Sequence, residues 1–296
     1  FNYINGSLHA EFVSLEAVAD TVGTPYYIYS ANTIHRNYQM FESALTGLKY
    51  SISYSVKANS NIAILKLLSD LGAGMDIVSS GEYLRARRAG VAANKIVFSG
   101  VGKTEDELVM AINGGIKQIN IESEPELKLL NLLAKRYNKI IPISVRVNPD
   151  INALTHDKIT TGRLEDKFGI PYKEVVPFCS KLKKFSNVRL SGLAIHIGSQ
   201  LTDVEPFRKA FTKISELVRE LRTEGHEIFT LDLGGGIGIP YSDYQDTINL
   251  KIYADLVRDT LGNLGCEFEF EPGRVIVGNA GVLVSSVIYR KQAEKR

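Results

Sequence analysis

The residue best placed for covalent chemistry in this sequence is a lysine. Lys57 closes an apolar run that begins at Ile52. Removal from water disfavours the charged form of an amine, so we expect a lowered pKa for Lys57 and an amine suited to Schiff-base chemistry. The alternative is a strand-end lysine whose ammonium group simply reaches solvent, as isolated lysines commonly do.

A glycine-rich run has the composition of an anion site. Gly234, Gly235, Gly236 and Gly238 follow an apolar segment. Backbone N–H groups that carry no bulky side chains can converge on a phosphate. The run is not a dinucleotide fingerprint, because the glycine required at the end of that motif is replaced by Ile239. A phosphate site and a flexible turn both remain open for this run.

An acid and an arginine flank a Pro-Gly turn near the end of the chain. The Arg274 guanidinium could bind a phosphate or a carboxylate, and the Glu271 carboxylate could bind a ring nitrogen. A surface ion pair between them is the alternative. His196 follows another apolar run, where it could stack on a flat ring, move a proton or be purely structural.

Each of these features has an ordinary structural explanation, but their combination is more specific. An amine, a flat-ring partner, a phosphate-binding run, an acid and an arginine are the groups with which proteins bind pyridoxal phosphate (PLP). The lysine would form the Schiff base, the glycines would hold the phosphate, and the acid would keep the pyridine nitrogen protonated. The sequence therefore predicts PLP as a cofactor.

Eight short apolar runs, each followed by a helical pattern, would position these residues. Continuous apolar runs are typical of parallel strands buried on both faces. Eight βα units in series favour a (β/α)8 TIM barrel over an open doubly wound sheet, and barrel chemistry lies at the carboxyl ends of the strands. The predicted strands are Ile52–Lys57, Met75–Ser79, Ile96–Ser99, Gln118–Ile121, Ile143–Asn148, Leu193–Ile197, Thr230–Leu233 and Glu267–Glu271. The predicted helices include Asn61–Leu71, Thr104–Asn113, Glu124–Arg136 and Pro206–Arg222.

The two ends of the chain do not fit the barrel pattern. The segment before the first unit and the β-rich segment 275–290 suggest a second, all-β domain built from both termini. We therefore expect residues 1–25 to be the N-terminal part of that domain, 26–272 to be the PLP-binding barrel, and 273–296 to be the start of its C-terminal part. One β ribbon cannot bury a core alone, so the β domain is expected to be largely absent from this chain.

One motif resembles a nucleotide-binding loop but is better explained as a helix start. Gly102, Lys103 and Thr104 match the end of a P-loop, but the glycine that a P-loop requires earlier is Val97. Thr104 followed by Glu107 is instead a capping box. We therefore predict a helix N-terminus here and no phosphate site.

The composition excludes several classes of function. The chain has 296 residues, 44% of them hydrophobic, and a net charge of +2. That balance predicts no general affinity for nucleic acid or membranes, and no apolar run approaches the roughly 18 residues of a membrane span. No signal peptide is visible, and two cysteines without a CxxC motif predict a reducing, cytoplasmic location. The histidines show no zinc spacing, so no metal is predicted.

With these motifs in view, the sequence resembles the fold-type III PLP-dependent decarboxylases from Thr24 to Leu283. The motifs that carry the resemblance are Ser55-Val56-Lys57-Ala58-Asn59, Asp76-Ile77-Val78-Ser79-Ser80-Gly81-Glu82, His196-Ile197-Gly198-Ser199-Gln200, the glycine run and Glu271-Pro272-Gly273-Arg274.

The resemblance implies a role for each matching residue. Lys57 would bind PLP covalently with Asp76 nearby, His196 would stack on the ring, and Glu271 would bind its nitrogen. Arg274 would also be able to meet a substrate carboxylate. The implied catalytic residues are Lys57, His196 and Glu271, and the implied cofactor-binding residues are Lys57, Asp76, His196, Ser199, Gly235, Gly236, Glu271, Pro272, Gly273 and Arg274.

A further stretch resembles the branch of this family that acts on diaminopimelate. It comprises Asn148-Pro149-Asp150 through Thr155-His156, then Thr161-Gly162 and Lys167-Phe168-Gly169. The implied activity is decarboxylation of meso-2,6-diaminopimelate to L-lysine and CO2, the last step of lysine biosynthesis. The alternatives are an ornithine- or arginine-type decarboxylase and a non-catalytic PLP-binding protein.

The resemblance also implies a homodimer. In that family a β-domain segment of the partner subunit completes the site, with a cysteine in a Ser-Gly-Asp context and a tyrosine. No such motif occurs here, since Cys179 and Cys266 stand in other contexts.

Overall fold

The computed structural model describes residues 1–151, 161–162, 167–242 and 244–292. Strands and helices alternate along most of this length, as the apolar patterns predict. In chain order the elements are β1 (Asn2–Ile4), β2 (Ser7–Ala10), β3 (Val13–Ser14), α1 (Leu15–Val22), β4 (Tyr26–Tyr29), α2 (Ala31–Ala44), β5 (Tyr50–Ser55), α3 (Ile62–Asp70), β6 (Gly74–Ile77), α4 (Ser80–Arg88), β7 (Ile96–Phe98), α5 (Glu105–Gly114), β8 (Gln118–Ile121), α6 (Glu124–Arg136), β9 (Ile141–Asn148), β10 (Ile170–Pro171), α7 (Val175–Lys181), β11 (Val188–Ile195), α8 (Glu205–Thr223), β12 (Thr230–Asp232), α9 (Leu250–Leu261), β13 (Glu267–Phe270), α10 (Arg274–Val277) and β14 (Gly281–Val284).

Eight of the described strands close into a parallel barrel. Their hydrogen-bonded order is β5-β6-β7-β8-β9-β11-β12-β13, and β13 pairs with β5 to complete the ring. The short strand β10 adds a parallel pairing beside β9. All eight predicted strands are confirmed, with shifts at their ends, and the TIM barrel is therefore confirmed over the open sheet.

The barrel strands are buried on both faces, whereas its helices are buried on one face. Every residue of β6 and of β8 is buried, which suits strands that face the barrel interior and the surrounding helices. Helix α6 buries Leu127, Leu130 and Leu133 along one face. The four predicted helices are confirmed within one or two residues at their ends.

The P-loop-like residues Gly102, Lys103 and Thr104 lead into the start of helix α5. The Thr104 side chain accepts from the Glu107 N–H, and the Glu107 carboxylate accepts in return from the Thr104 N–H, which completes a capping box. The predicted helix N-terminus is thus confirmed.

The termini form small sheets outside the barrel. Strands β1, β2 and β3 make an antiparallel sheet, and β14 pairs antiparallel with β4. The predicted β-rich tail was wrong for Val275, Ile276 and Val277, which lie in α10. The Gly273 carbonyl accepts from the N–H groups of Ile276 and Val277, and burial of these two side chains outweighs their strand preference. The division of the chain into domains stays a prediction.

Among the helices that the structure describes, none has both the length and the apolar composition of a membrane-spanning segment.

Candidate active site

The predicted lysine lies at the carboxyl end of the barrel, one turn beyond its strand. Strand β5 ends at Ser55, and Lys57 sits in a short 3-10 turn, Val56–Ala58. The expectation that Lys57 is the last residue of the strand was therefore wrong, because the strand ends two residues earlier. Its side chain is 46% exposed and opens onto a cavity.

Lys57 is paired with a buried carboxylate. Its Nζ lies 2.5 Å from Asp76 Oδ2, and Asp76 is fully buried in β6. Enclosure by the cavity lowers the pKa of Lys57, but the negative charge of Asp76 and its hydrogen bond to the amine outweigh this effect and raise that pKa. The expected lowering of the Lys57 pKa was thus wrong, because that expectation considered only removal from water and not the charge of the nearby Asp76.

His196 presents a neutral ring to the same cavity. It follows β11, and its Nδ1 accepts from the Gly235 N–H at 3.2 Å. Burial and the positive charges of Arg146 and Lys57 hold the pKa of His196 well below its usual value. The imidazole is therefore uncharged at neutral pH, which suits stacking on a flat ring.

Glu271 is a buried acid that forms no ion pair with the other residues that the structure describes. It is 6% exposed, directly after β13, and Ser99 Oγ donates to its Oε1 at 3.3 Å. Burial and the nearby Asp232 and Asp76 carboxylates raise the pKa of Glu271 well above its usual value. A positively charged ring nitrogen is the kind of group that this carboxyl group would bind tightly.

Two adjoining cavities meet at these residues. The first cavity has a volume of about 380 Å³ and the second about 420 Å³. Lys57, His196 and Glu271 line both of them. A ligand that occupied both cavities would therefore touch the three predicted catalytic residues at its centre.

The second cavity is built to hold an anion. Ser199, Gly236, Gly273 and Arg274 all line it. Arg274 Nη2 donates to Ser199 Oγ at 3.4 Å and Nη1 donates to Tyr241, whereas Nε is buried without a partner in the described structure. A guanidinium with a spare donor beside a hydroxyl and glycine backbone is suited to a phosphate.

The glycines of the second cavity pack too closely against neighbouring residues to carry a side chain. Gly236 has φ +100°, and a Cβ there would lie 2.3 Å from the Gly198 carbonyl oxygen. A Cβ on Gly273 would lie 3.0 Å from the Ala58 Cβ. These positions therefore require glycine if the backbone is to approach a ligand.

Some predicted residues do not line either cavity among those described. Pro272 is buried and its carbonyl accepts from the Ser55 N–H at 3.0 Å. Gly235 also lies behind the wall of the second cavity, and its N–H donates a hydrogen bond to His196 Nδ1. Thr155 and His156 of the diaminopimelate-type stretch lie outside the described residues.

Sequence reasoning missed four polar residues that line the first cavity, namely Ser99, Asn120, Arg146 and Asp232. Arg146 is 8% exposed, donates to Glu122 at 2.8 Å and lies 4.8 Å above the ring of Phe168. The available signal was a polar residue inside a continuous apolar strand, where burial is costly unless the group is paired.

Comparison with known proteins agrees with this geometry. Residues 31–278 match the model for the pyridoxal binding domain of pyridoxal-dependent decarboxylases.

The relatives share most of their length with this chain. Diaminopimelate decarboxylase from Pseudomonas fluorescens is 43% identical over 100% of this chain and 71% of its own. The enzyme of the same name from Aquifex aeolicus is 42% identical over 98% of this chain and 68% of its own. The crystal structure of diaminopimelate decarboxylase from Helicobacter pylori complexed with L-lysine superposes with a TM-score of 0.91 at 39% identity, covering 94% of this chain and 70% of that one.

Proposed function

The chain belongs to the family of pyridoxal-dependent decarboxylases, and from this premise we propose that it converts meso-2,6-diaminopimelate into L-lysine and CO2. The observation that carries the proposal is the meeting of Lys57, His196 and Glu271 where the two cavities join. The names of the relatives and the L-lysine in the H. pylori structure support the choice of substrate.

Pyridoxal phosphate is the cofactor, and the residues present fit it. The spare Nε of Arg274 and the close backbone approach at Gly236 suit the phosphate. The uncharged imidazole of His196 suits the ring face, and the buried Glu271 suits a ring nitrogen. Ser199, Gly273 and Arg274 complete the set that we propose for the phosphate, with Gly235 and Pro272 supporting it from behind the wall.

When bound, the cofactor supplies an aldehyde for amines and a ring that accepts the electron pair left by the departing CO2. Lys57 must lose a proton before its amine can react with the aldehyde, and Asp76 Oδ2 at 2.5 Å holds that amine where the two cavities meet. Glu271 would keep the ring nitrogen charged. His196 would exclude water from one face of the ring.

The first cavity is the proposed place for the substrate. Its wall carries the Arg146 guanidinium, the Asn120 amide and the Ser99 hydroxyl, while Val78 and Val101 form an apolar side. A volume of about 380 Å³ accommodates a small amino acid beside the cofactor. Arg274, at the edge of the second cavity, is a further candidate partner for a substrate carboxylate.

We also propose a homodimer whose partner subunit completes the site. Family resemblance supports this, as does the 46% exposure of the Lys57 side chain in the single chain. Sedimentation of the PLP-loaded protein tests it, and a monomer at enzymatic concentrations would contradict it. A cytoplasmic location is likewise a proposal, which the free thiols of Cys179 and Cys266 support.

A substrate panel tests the proposed activity. The PLP-loaded protein is incubated with meso-diaminopimelate, its LL isomer, ornithine, arginine or lysine, and the released CO2 and the product amine are measured. We expect L-lysine and CO2 from the meso isomer. Faster release of CO2 from ornithine or arginine would show that the substrate is that amino acid instead. If PLP is bound to Lys57 but none of the compounds releases CO2, the protein would be a non-catalytic PLP-binding protein.

A further inference from the structure

Two buried carboxyl groups lie on the wall of the first cavity. Asp232, at the end of β12, is 2% exposed, and Glu271, after β13, is 6% exposed. Asn120 and Ser99 join them by hydrogen bonds, because Asn120 donates to Asp232 and to Ser99, and Ser99 donates to Glu271. Two negative charges in one buried site are costly, so we expect one of the two groups to carry a proton.

The surrounding hydrogen bonds decide which group carries it. Asp232 accepts at both oxygens, from Asn120 Nδ2 at 2.8 Å and from the Gly234 N–H at 3.0 Å. Glu271 receives one longer bond, from Ser99 Oγ at 3.3 Å. Donors favour the ionised form, so the proton rests on Glu271 and the charge on Asp232.

These hydrogen bonds join four residues, Asp232, Asn120, Ser99 and Glu271, in a chain. Asn120 Nδ2 donates to Ser99 Oγ at 3.0 Å as well as to Asp232, and Ser99 donates to Glu271. Gln118 Nε2 in turn donates to Asn120 Oδ1 at 2.8 Å and fixes the amide orientation. Because every member is held by another, Asp232 cannot easily turn away from Glu271.

The negative charges around the pair disfavour ionisation of both carboxyl groups at once. Asp76 faces both carboxyl groups and Glu269 faces Asp232, so each disfavours a second negative charge. Lys57 opposes this at Glu271. The pKa of Asp232 is raised to about 6 by burial and by Glu269, less than the rise at Glu271.

We propose that Asp232 is a positioning residue that keeps a proton on Glu271 in the cofactor-free protein, so that Glu271 can pass this proton to the ring nitrogen when PLP enters. The O–H bond of Glu271 breaks, an N–H bond forms at the ring, and Asp232 keeps the charge that it already had. The inference rests on the proposed function for its purpose, but the proton on Glu271 belongs to the cofactor-free protein.

Infrared spectroscopy of the cofactor-free protein tests whether Glu271 carries a proton. A protonated carboxyl group gives a C=O band separate from that of carboxylates, and Glu271→Gln assigns the band of Glu271 by removing it. Titration then gives the pH midpoint of Glu271. Asp232→Asn keeps the shape and removes the charge, so the midpoint should fall by about one pH unit or more.

A second variant is expected to move the midpoint the other way. Ser99→Ala removes the donor that stabilises ionised Glu271, so its midpoint should rise. Glu269→Gln is the control, since Glu269 is bound to Lys117 and does not touch Glu271; it should shift the midpoint less than Asp232→Asn. An unchanged midpoint in Asp232→Asn, or a fall in Ser99→Ala, would overturn the proposal.

The pH dependence of stability gives a second readout. Folding raises the pKa of Glu271 above its ordinary 4.5, so the folded protein binds more protons than the unfolded chain. The contribution of Glu271 to stability is therefore lost as the pH rises above about 4.5. Calorimetry of the cofactor-free protein should show less loss of stability with rising pH in Glu271→Gln than in the original protein, and an identical slope would contradict the proton on Glu271. Neither readout uses decarboxylation, so a failure here is distinct from a failure of the proposed activity.

Discussion

Lys57 and Lys103 both follow barrel strands at the same end of the barrel and both pair with a carboxylate, but the fold uses them differently. Lys103 Nζ donates to the Gly100 carbonyl at 2.6 Å, the Asn120 carbonyl at 2.7 Å and Glu126 at 2.7 Å, and its side chain is 1% exposed. Lys57 has one acceptor among the described residues, Asp76.

The difference separates a structural lysine from one that can do chemistry. An ammonium group has three donors, and the fold occupies all three at Lys103. Lys57 keeps an open side toward two cavities. A lysine at a barrel strand end is therefore informative about chemistry only when its donors remain available to a ligand.

The largest expected effect separates the two lysines by function. Lys57→Arg keeps the positive charge beside Asp76 but removes the nucleophilic amine. Decarboxylation should fall at least about a thousandfold, as when the covalent group of an enzyme is removed. The release of CO2 measures this, with circular dichroism as the check that the fold is intact. Activity within tenfold of the original protein would place the covalent chemistry elsewhere.

The reverse experiment should damage stability. Lys103→Met leaves Glu126 buried without its partner, so we expect a loss of about 3–5 kcal/mol in the free energy of unfolding. Lys128→Met removes a surface pair with Glu124 and should cost about 1 kcal/mol or less. Urea denaturation measures both. Equal losses in the two variants would show that the Lys103 contacts are not structural.

The same contrast extends to glycines. Gly236→Ala would place a Cβ against the Gly198 carbonyl oxygen and displace the backbone that lines the second cavity, so PLP affinity should fall roughly tenfold or more. Gly225 also has positive φ, at +84°, but has open space around it. Gly225→Ala should therefore cost stability alone. Equilibrium titration with PLP measures both, and equal affinities would remove Gly236 from the phosphate site.

The smallest expected effect concerns pH. Asp76 raises the pKa of Lys57, and the protonated amine does not react with an aldehyde. Asp76→Asn should therefore lower the pH midpoint for PLP attachment by about one unit or more. Glu126→Gln, at the Lys103 pair, should leave that midpoint unchanged. Stopped-flow absorbance against pH measures both, and no shift in Asp76→Asn would contradict the assigned cause.

The barrel and the centre of the site could be predicted because both are local in the sequence. Each strand is an apolar run, and Lys57, His196 and Glu271 follow such runs directly. The Lys57 pKa could not be predicted, because Asp76 reaches it only through the β5–β6 register that pairs Ser55 with Asp76. Asp232 was missed for a related reason, since its partner Glu271 comes from the neighbouring strand.

The helical Val275–Val277 segment shows the other limit of prediction. Its β-branched residues favour a strand, but contacts with the barrel bury them in a helical turn. Such contacts between distant parts of the chain are not visible in a local pattern.

The most direct test of the account is to find the amine that binds the cofactor. The protein is incubated with PLP, reduced with borohydride, digested and mapped by mass spectrometry. We expect one pyridoxyl phosphate group per chain, on the peptide that contains Lys57, and an unmodified Lys103. A folded protein that carries the group on another lysine, or no group at all, would contradict the assignment of Lys57.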